Sequence, residues 1–231
     1  MNEFLTPVTH IIHRRRGTID KYMGDAIMCF WGAPLDDPEH ARHAHDAALE
    51  MIEEINALAP KFAERGWPPV RIGVGLSTGK MAVGDMGSEF RLAYTVLGDT
   101  VNLGARLEGQ TKSYGVEVIV SEPTMKGLGD CAFLELDRIK VKGKDEPVTI
   151  YEPLGPKDKL PSDKRKEYRE YADALRLYRL QQWDNAEIQF LNLQRTDPDR
   201  MLYDVYIDRI QAFRQESPGE DWDGVFTATT K

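Results

Sequence analysis

Apolar residues recur at helical spacing over residues 3–13, EFLTPVTHIIH, where Phe4, Leu5, Val8, Ile11 and Ile12 can share a face. Pro7 fits such a helix near its first turn or as a kink. RRRG closes the segment. The pattern then predicts two strands, over 17–23 and 26–31, joined by a tight turn that holds Gly24 and Asp25. The clearest helix is DDPEHARHAHDAALEMIEEINALAPKFAERG, where Pro38 suits a first turn and Gly66 a stop. VRIGVGLSTGKMAVGDMG is rich in β-branched residues and glycine and predicts two more strands. DTVNLGARLEGQTKSYG predicts a helix capped by Asp99 or Thr100 and stopped by Gly115. VEVIVS predicts a strand, and CAFLELDRIKVKGKDEPVTIYEPL a hairpin turning at GKDEP. Residues 17–154 are therefore expected to be α+β, mostly antiparallel, with helices packed on the sheet.

The character changes at GPKDKLPSDK, where proline and lysine predict a linker over 155–163. Residues 164–215 are helical by pattern. Tyr178, Trp183, Ala186, Phe190 and Pro198 are spaced much as in one tetratricopeptide repeat. A single repeat cannot bury its own face, so three helices packed on the preceding domain or on a second chain are expected. The tail, 216–231, is expected to be irregular.

Composition narrows the function classes. The net charge of −8 over 231 residues argues against general nucleic-acid binding, which needs a basic surface. The two cysteines, Cys29 and Cys131, sit in apolar stretches and suit buried thiols in a reducing compartment. No apolar run approaches the ~20 residues of a membrane span, and the N-terminus lacks a signal-peptide core. A cytoplasmic location is expected. GVGLSTGK is not a phosphate-binding P-loop, because Val74 and Met81 stand where glycine and Ser or Thr are required. Thr78 likewise breaks the dinucleotide-binding glycine pattern, so these glycines are expected to permit close backbone packing. His40, His43 and His45 have spacings that suit a solvated helix end better than a metal site.

Four segments carry a family pattern in order and spacing: GTIDKYMGDAIMCFWG, RIGVGLSTGKMAVGDMG, YTVLGDTVNLGARLE and IKVKGKDEPVTIYE. They resemble the class III nucleotidyl cyclase domain over residues 1–154, and bacterial adenylate cyclases in particular. The resemblance implies a ferredoxin-like sheet. It also implies conversion of ATP to cyclic AMP and pyrophosphate, by attack of the 3′ hydroxyl on the α-phosphorus with two divalent ions, Mg2+ or Mn2+. On this resemblance Asp25 is a metal ligand, and Lys21 and Thr95 read the base. Lysine only donates and threonine can accept, which complements the N1 acceptor and amino donor of adenine. Asn102 and Arg106, four apart on one helix face, would orient the ribose and stabilise phosphate charge. Lys142 would bind the terminal phosphates, with Lys144 a weaker candidate. The family shares each site between two chains, so a head-to-tail homodimer is implied. DMGSEFRLA, residues 85–93, is similar to the arm that reaches the partner.

The chain departs from the pattern at its start. The family's first strand bears a second metal aspartate in a Phe-x-Asp-Ile motif, and nothing like it precedes Met1. The expectation is an N-terminally incomplete domain with weak or no activity, from a longer parent with membrane and sensor segments upstream. A non-catalytic, cyclase-like dimerisation module is the competing expectation.

Overall fold

The computed structural model describes residues 2–140 and 146–227. Helix α1, Asn2–Arg14, buries Val8, Ile11 and Ile12, and Pro7 lies inside it. Strands β1, Thr18–Met23, and β2, Ala26–Phe30, form an antiparallel hairpin. Its two-residue loop places Gly24 first, at φ +67°, a position that such hairpins fill with glycine. Helix α2, His40–Glu64, packs Ala47, Ala48, Met51, Ile52 and Ile55 with the apolar face of α1.

The main sheet has five strands: β3, Val74–Leu76; β6, Val118–Ser121; β8, Val148–Pro156; β7, Cys131–Lys140; and β9, Phe226–Thr227. They lie in the order β3-β6-β8-β7-β9. Strand β6 is buried throughout, which its run of VIVS requires of a strand covered on both faces. Alternation sorts its side chains. Val118 and Val120 join the cluster with α1 and α2, whereas Ile119 joins the opposite one. Strands β4, Ala82–Ser88, and β5, Arg91–Leu97, form a separate antiparallel hairpin. The sequence pattern had given only β4 of this pair.

Helix α3, Asp99–Tyr114, lies directly on β3. Glycine makes that approach possible: a Cβ on Gly75 would collide with the Gly104 carbonyl and the Glu108 amide of α3. Gly75→Val should therefore lower stability by at least the ~1–3 kcal/mol of an overpacked core. Gly129→Ala, with open space around it, should change stability by less than ~0.5 kcal/mol. Urea midpoints of the two variants check this.

The short helix α4, Glu122–Lys126, follows β6. Three helices close the chain: α5, Ser162–Arg179; α6, Trp183–Thr196; and α7, Met201–Gln215. They pack on this chain's own sheet and share one apolar core with α3, β7 and β8. A bulge in β7 helps to fix them. Glu135 faces Tyr151 and Asp137 faces Ile150, so Leu136 has no opposite residue. Its carbonyl accepts from the hydroxyls of Tyr171, at 3.1 Å, and Tyr206, at 2.5 Å.

Two boundaries differ from the sequence expectation. β8 runs to Pro156 and α5 starts at Ser162, so the expected linker is shorter and holds a 3-10 turn at Lys157–Lys159. The tail is not wholly irregular. β9 adds parallel to β7, with Phe226 opposite Ile139, and Trp222 packs among Tyr178, Trp183 and Phe213. A two-residue strand has no periodicity, and its partner edge decides it.

Candidate functional site

Lys21 and Thr95 lie 74 residues apart in sequence, yet Lys21 Nζ is 3.4 Å from Thr95 Oγ1. Lys21 comes from β1 and Thr95 from β5, which meet in the fold. Thr95 is buried, while Lys21 is half exposed. A third side chain joins them. Asp20 Oδ2 accepts the Thr95 hydroxyl at 2.5 Å, and Asp20 Oδ1 lies 3.3 Å from Lys21 Nζ. Sequence reasoning missed Asp20. The available signal was two consecutive charges, Asp20 and Lys21, in a strand that should alternate.

Three residues after Thr95, Gly98 takes φ +154° and leads into α3. A Cβ there would meet Lys80 and Met81 at ordinary contact distances, so it is the backbone angle that favours glycine. Helix α3 then presents Asn102, exposed, and Arg106, half buried. The Arg106 Nη1 is buried and has no hydrogen-bond partner. A buried guanidinium nitrogen without an acceptor is costly unless a ligand supplies one. Asp25 is exposed beside the Gly24 turn, at the far end of the hairpin that carries Lys21. Lys142 and Lys144 lie outside the described residues.

Metal-ligating groups are sparse. Among the described residues no three His, Cys, Asp or Glu side chains lie close enough together to hold an ion. Two histidines of α2 find local carboxylates instead. His43 Nδ1 is 2.7 Å from Asp37 Oδ2, and His45 Nδ1 is 3.0 Å from Asp46 Oδ1. Asp25 by itself does not make a metal centre.

Residues 1–152 match the family model described as "Adenylate and Guanylate cyclase catalytic domain". The chain belongs to that family. A curated relative, "Adenylate cyclase 1" of Rhizobium meliloti, is 35% identical over 156 residues, which is 67% of this chain and 24% of that protein. This cyclase chain thus spans about a quarter of that relative's length. Two solved structures share its fold. The adenylyl cyclase CyaB from P. aeruginosa is 28% identical with a TM-score of 0.61, over 69% of this chain and 83% of the other. The guanylyl cyclase Cya2 is 30% identical with a TM-score of 0.60, over 69% of this chain and 80% of the other. The two differ in the nucleotide that their names state, so likeness alone does not decide the base. Among the described residues of this cyclase domain, no helix is long and apolar enough to cross a membrane.

Proposed function

We propose that this cyclase domain acts on ATP and forms cyclic AMP and pyrophosphate. The observation that carries the choice of base is the meeting of Lys21 and Thr95, 3.4 Å apart in one chain. The ammonium would donate to adenine N1, and the threonine oxygen would accept from the amino group. The 3′ oxygen bonds to the α-phosphorus, the bond from that phosphorus to the bridging oxygen breaks, and pyrophosphate leaves. The proton of the 3′ hydroxyl passes to solvent water. Asn102 would hold the ribose in line, and Arg106 would donate to the phosphate oxygens, which would supply the acceptor that Nη1 lacks. Lys142 is proposed to bind the terminal phosphates.

The metal expectation changes. Asp25 remains the proposed carboxylate for a divalent ion, but the described residues do not provide a site around it. We assign no step to an ion held by this chain. Cyclisation by the isolated chain should be slow for that reason.

The β4–β5 hairpin exposes Phe90, 90% accessible, together with Leu92 and Tyr94, while β1 exposes Tyr22 and Met23. Such a patch suits a second copy of the chain. A head-to-tail homodimer would complete two sites, with Asp25 from one chain and Lys21, Thr95, Asn102 and Arg106 from the other. A non-catalytic dimerisation module is the second reading, and the sparse metal ligands favour it.

Binding separates the base assignment from catalysis. The full chain should bind 3′-deoxy-ATP, which cannot cyclise, more tightly than 3′-deoxy-GTP. Lys21→Ala should weaken 3′-deoxy-ATP about tenfold, the worth of one hydrogen bond to a charged group. Calorimetry checks both, and a preference for the guanine nucleotide would sink the assignment. Absence of any cyclic AMP with Mn2+ and ATP, alongside intact binding, would favour the second reading.

A further inference from the structure

Asp20 carries none of the roles assigned so far, yet it touches both residues that face the base. Neighbours in a regular strand point to opposite faces. A bulge breaks that rule here. Ile19 faces Cys29 and Lys21 faces Met28, so Asp20 is the extra residue with no opposite partner in β2. The carboxylate therefore turns to the same side as Lys21. Its side chain is 1% exposed, against 48% for Lys21. Asp20 Oδ2 accepts from the Thr95 hydroxyl at 2.5 Å and faces the Val96 amide at 3.4 Å. Asp20 Oδ1 lies 3.3 Å from the Lys21 ammonium.

An ionised carboxylate can only accept. The single proton of Thr95 is thus committed inwards, to Asp20. A free threonine hydroxyl could turn its proton towards either a donor or an acceptor. This one can offer a ligand only lone pairs, and one of them already faces Lys21 Nζ at 3.4 Å.

We propose that Asp20 is a specificity-positioning residue that fixes Thr95 as an acceptor. The pocket edge then pairs with a base that offers an amino group beside an acceptor nitrogen, as adenine does. It opposes a base that offers a carbonyl beside an N–H, as guanine does, because acceptor meets acceptor and donor meets donor. Unpaired polar groups of this kind discriminate more strongly than added apolar contacts do. The proposal rests on the assignment of Lys21 and Thr95 to the base.

The test uses the full chain with 3′-deoxy-ATP and 3′-deoxy-GTP. Asp20→Asn keeps the volume but can donate to Thr95, and Asp20→Ser withdraws the carboxylate altogether. Each should lower the adenine-to-guanine ratio of affinities about tenfold, equivalent to ~1.4 kcal/mol. In a Thr95→Val background, Asp20→Asn should leave the ratio where Thr95→Val alone puts it. A residue needed only for folding would weaken both nucleotides alike. An unchanged ratio, equal loss of both nucleotides, or a further drop in the Thr95→Val background would each overturn the proposal. Lys21→Ala distinguishes the two levels. If it leaves both affinities intact, the base assignment and this proposal fall together. If it weakens 3′-deoxy-ATP while the Asp20 variants keep the ratio, this proposal falls alone.

Discussion

Arg209→Met should destabilise the chain by about 3–5 kcal/mol, the usual cost of stranding the partner of a buried ion pair. Arg209 sits on α7, 12% exposed, and its Nη1 is 2.6 Å from Asp137 Oδ2 on β7, which is 1% exposed. Its Nη2 donates to the Tyr114 hydroxyl at 3.1 Å, and that hydroxyl donates to Asp137 Oδ2 at 2.6 Å. The Phe226 ring of β9 lies 3.6 Å from the guanidinium carbon. Burial opposes the Arg209 charge, but Asp137 together with Tyr114, Tyr206 and Tyr178 offsets it and raises the pKa above its ordinary value. One cation therefore joins the closing helix, the end of α3, the sheet and the tail strand. Among the described residues, removing it leaves the buried carboxylate with the Tyr114 hydroxyl and the Arg138 amide alone. For a chain of this size the loss corresponds to a fall of roughly 10 °C in melting temperature. The double variant Arg209→Met, Asp137→Leu should recover part of it, because no charge is then left unpaired. Arg176→Ala, which breaks an exposed pair with Asp173, should cost less than ~1 kcal/mol. Similar melting temperatures for Arg209→Met and Arg176→Ala would remove the network from the stability of the fold.

The contrast between helices and bulges explains what could be read from the chain. Helices α2 and α3 announce themselves, since periodic apolar residues and a glycine stop at Gly115 leave few alternatives. The buried run of β6 is equally plain. Helices α5 to α7 were legible as helices, but not their seat. Tyr171 and Tyr206 have helical spacing whatever they bond to. Only the bulge at Leu136 frees the carbonyl that takes both hydroxyls. Strand β9 has two residues and no pattern, so the free edge of β7 determines it.

Site residues divide the same way. Resemblance carried Lys21, Thr95, Asn102, Arg106 and Asp25, and the fold brings the first two within 3.4 Å. Asp20 stayed hidden because a carboxylate beside a lysine in a strand passes for a solvated charge. The bulge turns it inwards instead. The metal ligands show the opposite case. The resemblance suggested an ion at Asp25, and the described residues gather no group of three ligating side chains that could hold one.

Arg106→Ala should lower cyclic AMP formation by about 10²–10³, the scale of losing one preorganised group that meets developing charge. Nucleotide binding should change far less, since the guanidinium matters most where negative charge builds on the phosphate oxygens. The structure favours Arg106 over a surface arginine for this task. Its Nη1 is buried without a partner, so its desolvation is already met in the folded chain and need not accompany the reaction. The shared-site model adds a sharper expectation. Asp25→Ala should be nearly as inactive as Arg106→Ala when each is assayed alone. In the proposed homodimer the two residues serve the same site from different chains. A mixture then forms heterodimers in which one site has both changes and the other has neither. Up to about half of the sites in each heterodimer should work. The measurement is the rate of cyclic AMP formation with Mn2+ and ATP, for each variant and for the mixture after subunit exchange. Near-normal turnover by Arg106→Ala would remove it from the chemistry. Failure of the mixture to exceed the separate variants, with heterodimers shown by mass, would place Asp25 and Arg106 outside a common site.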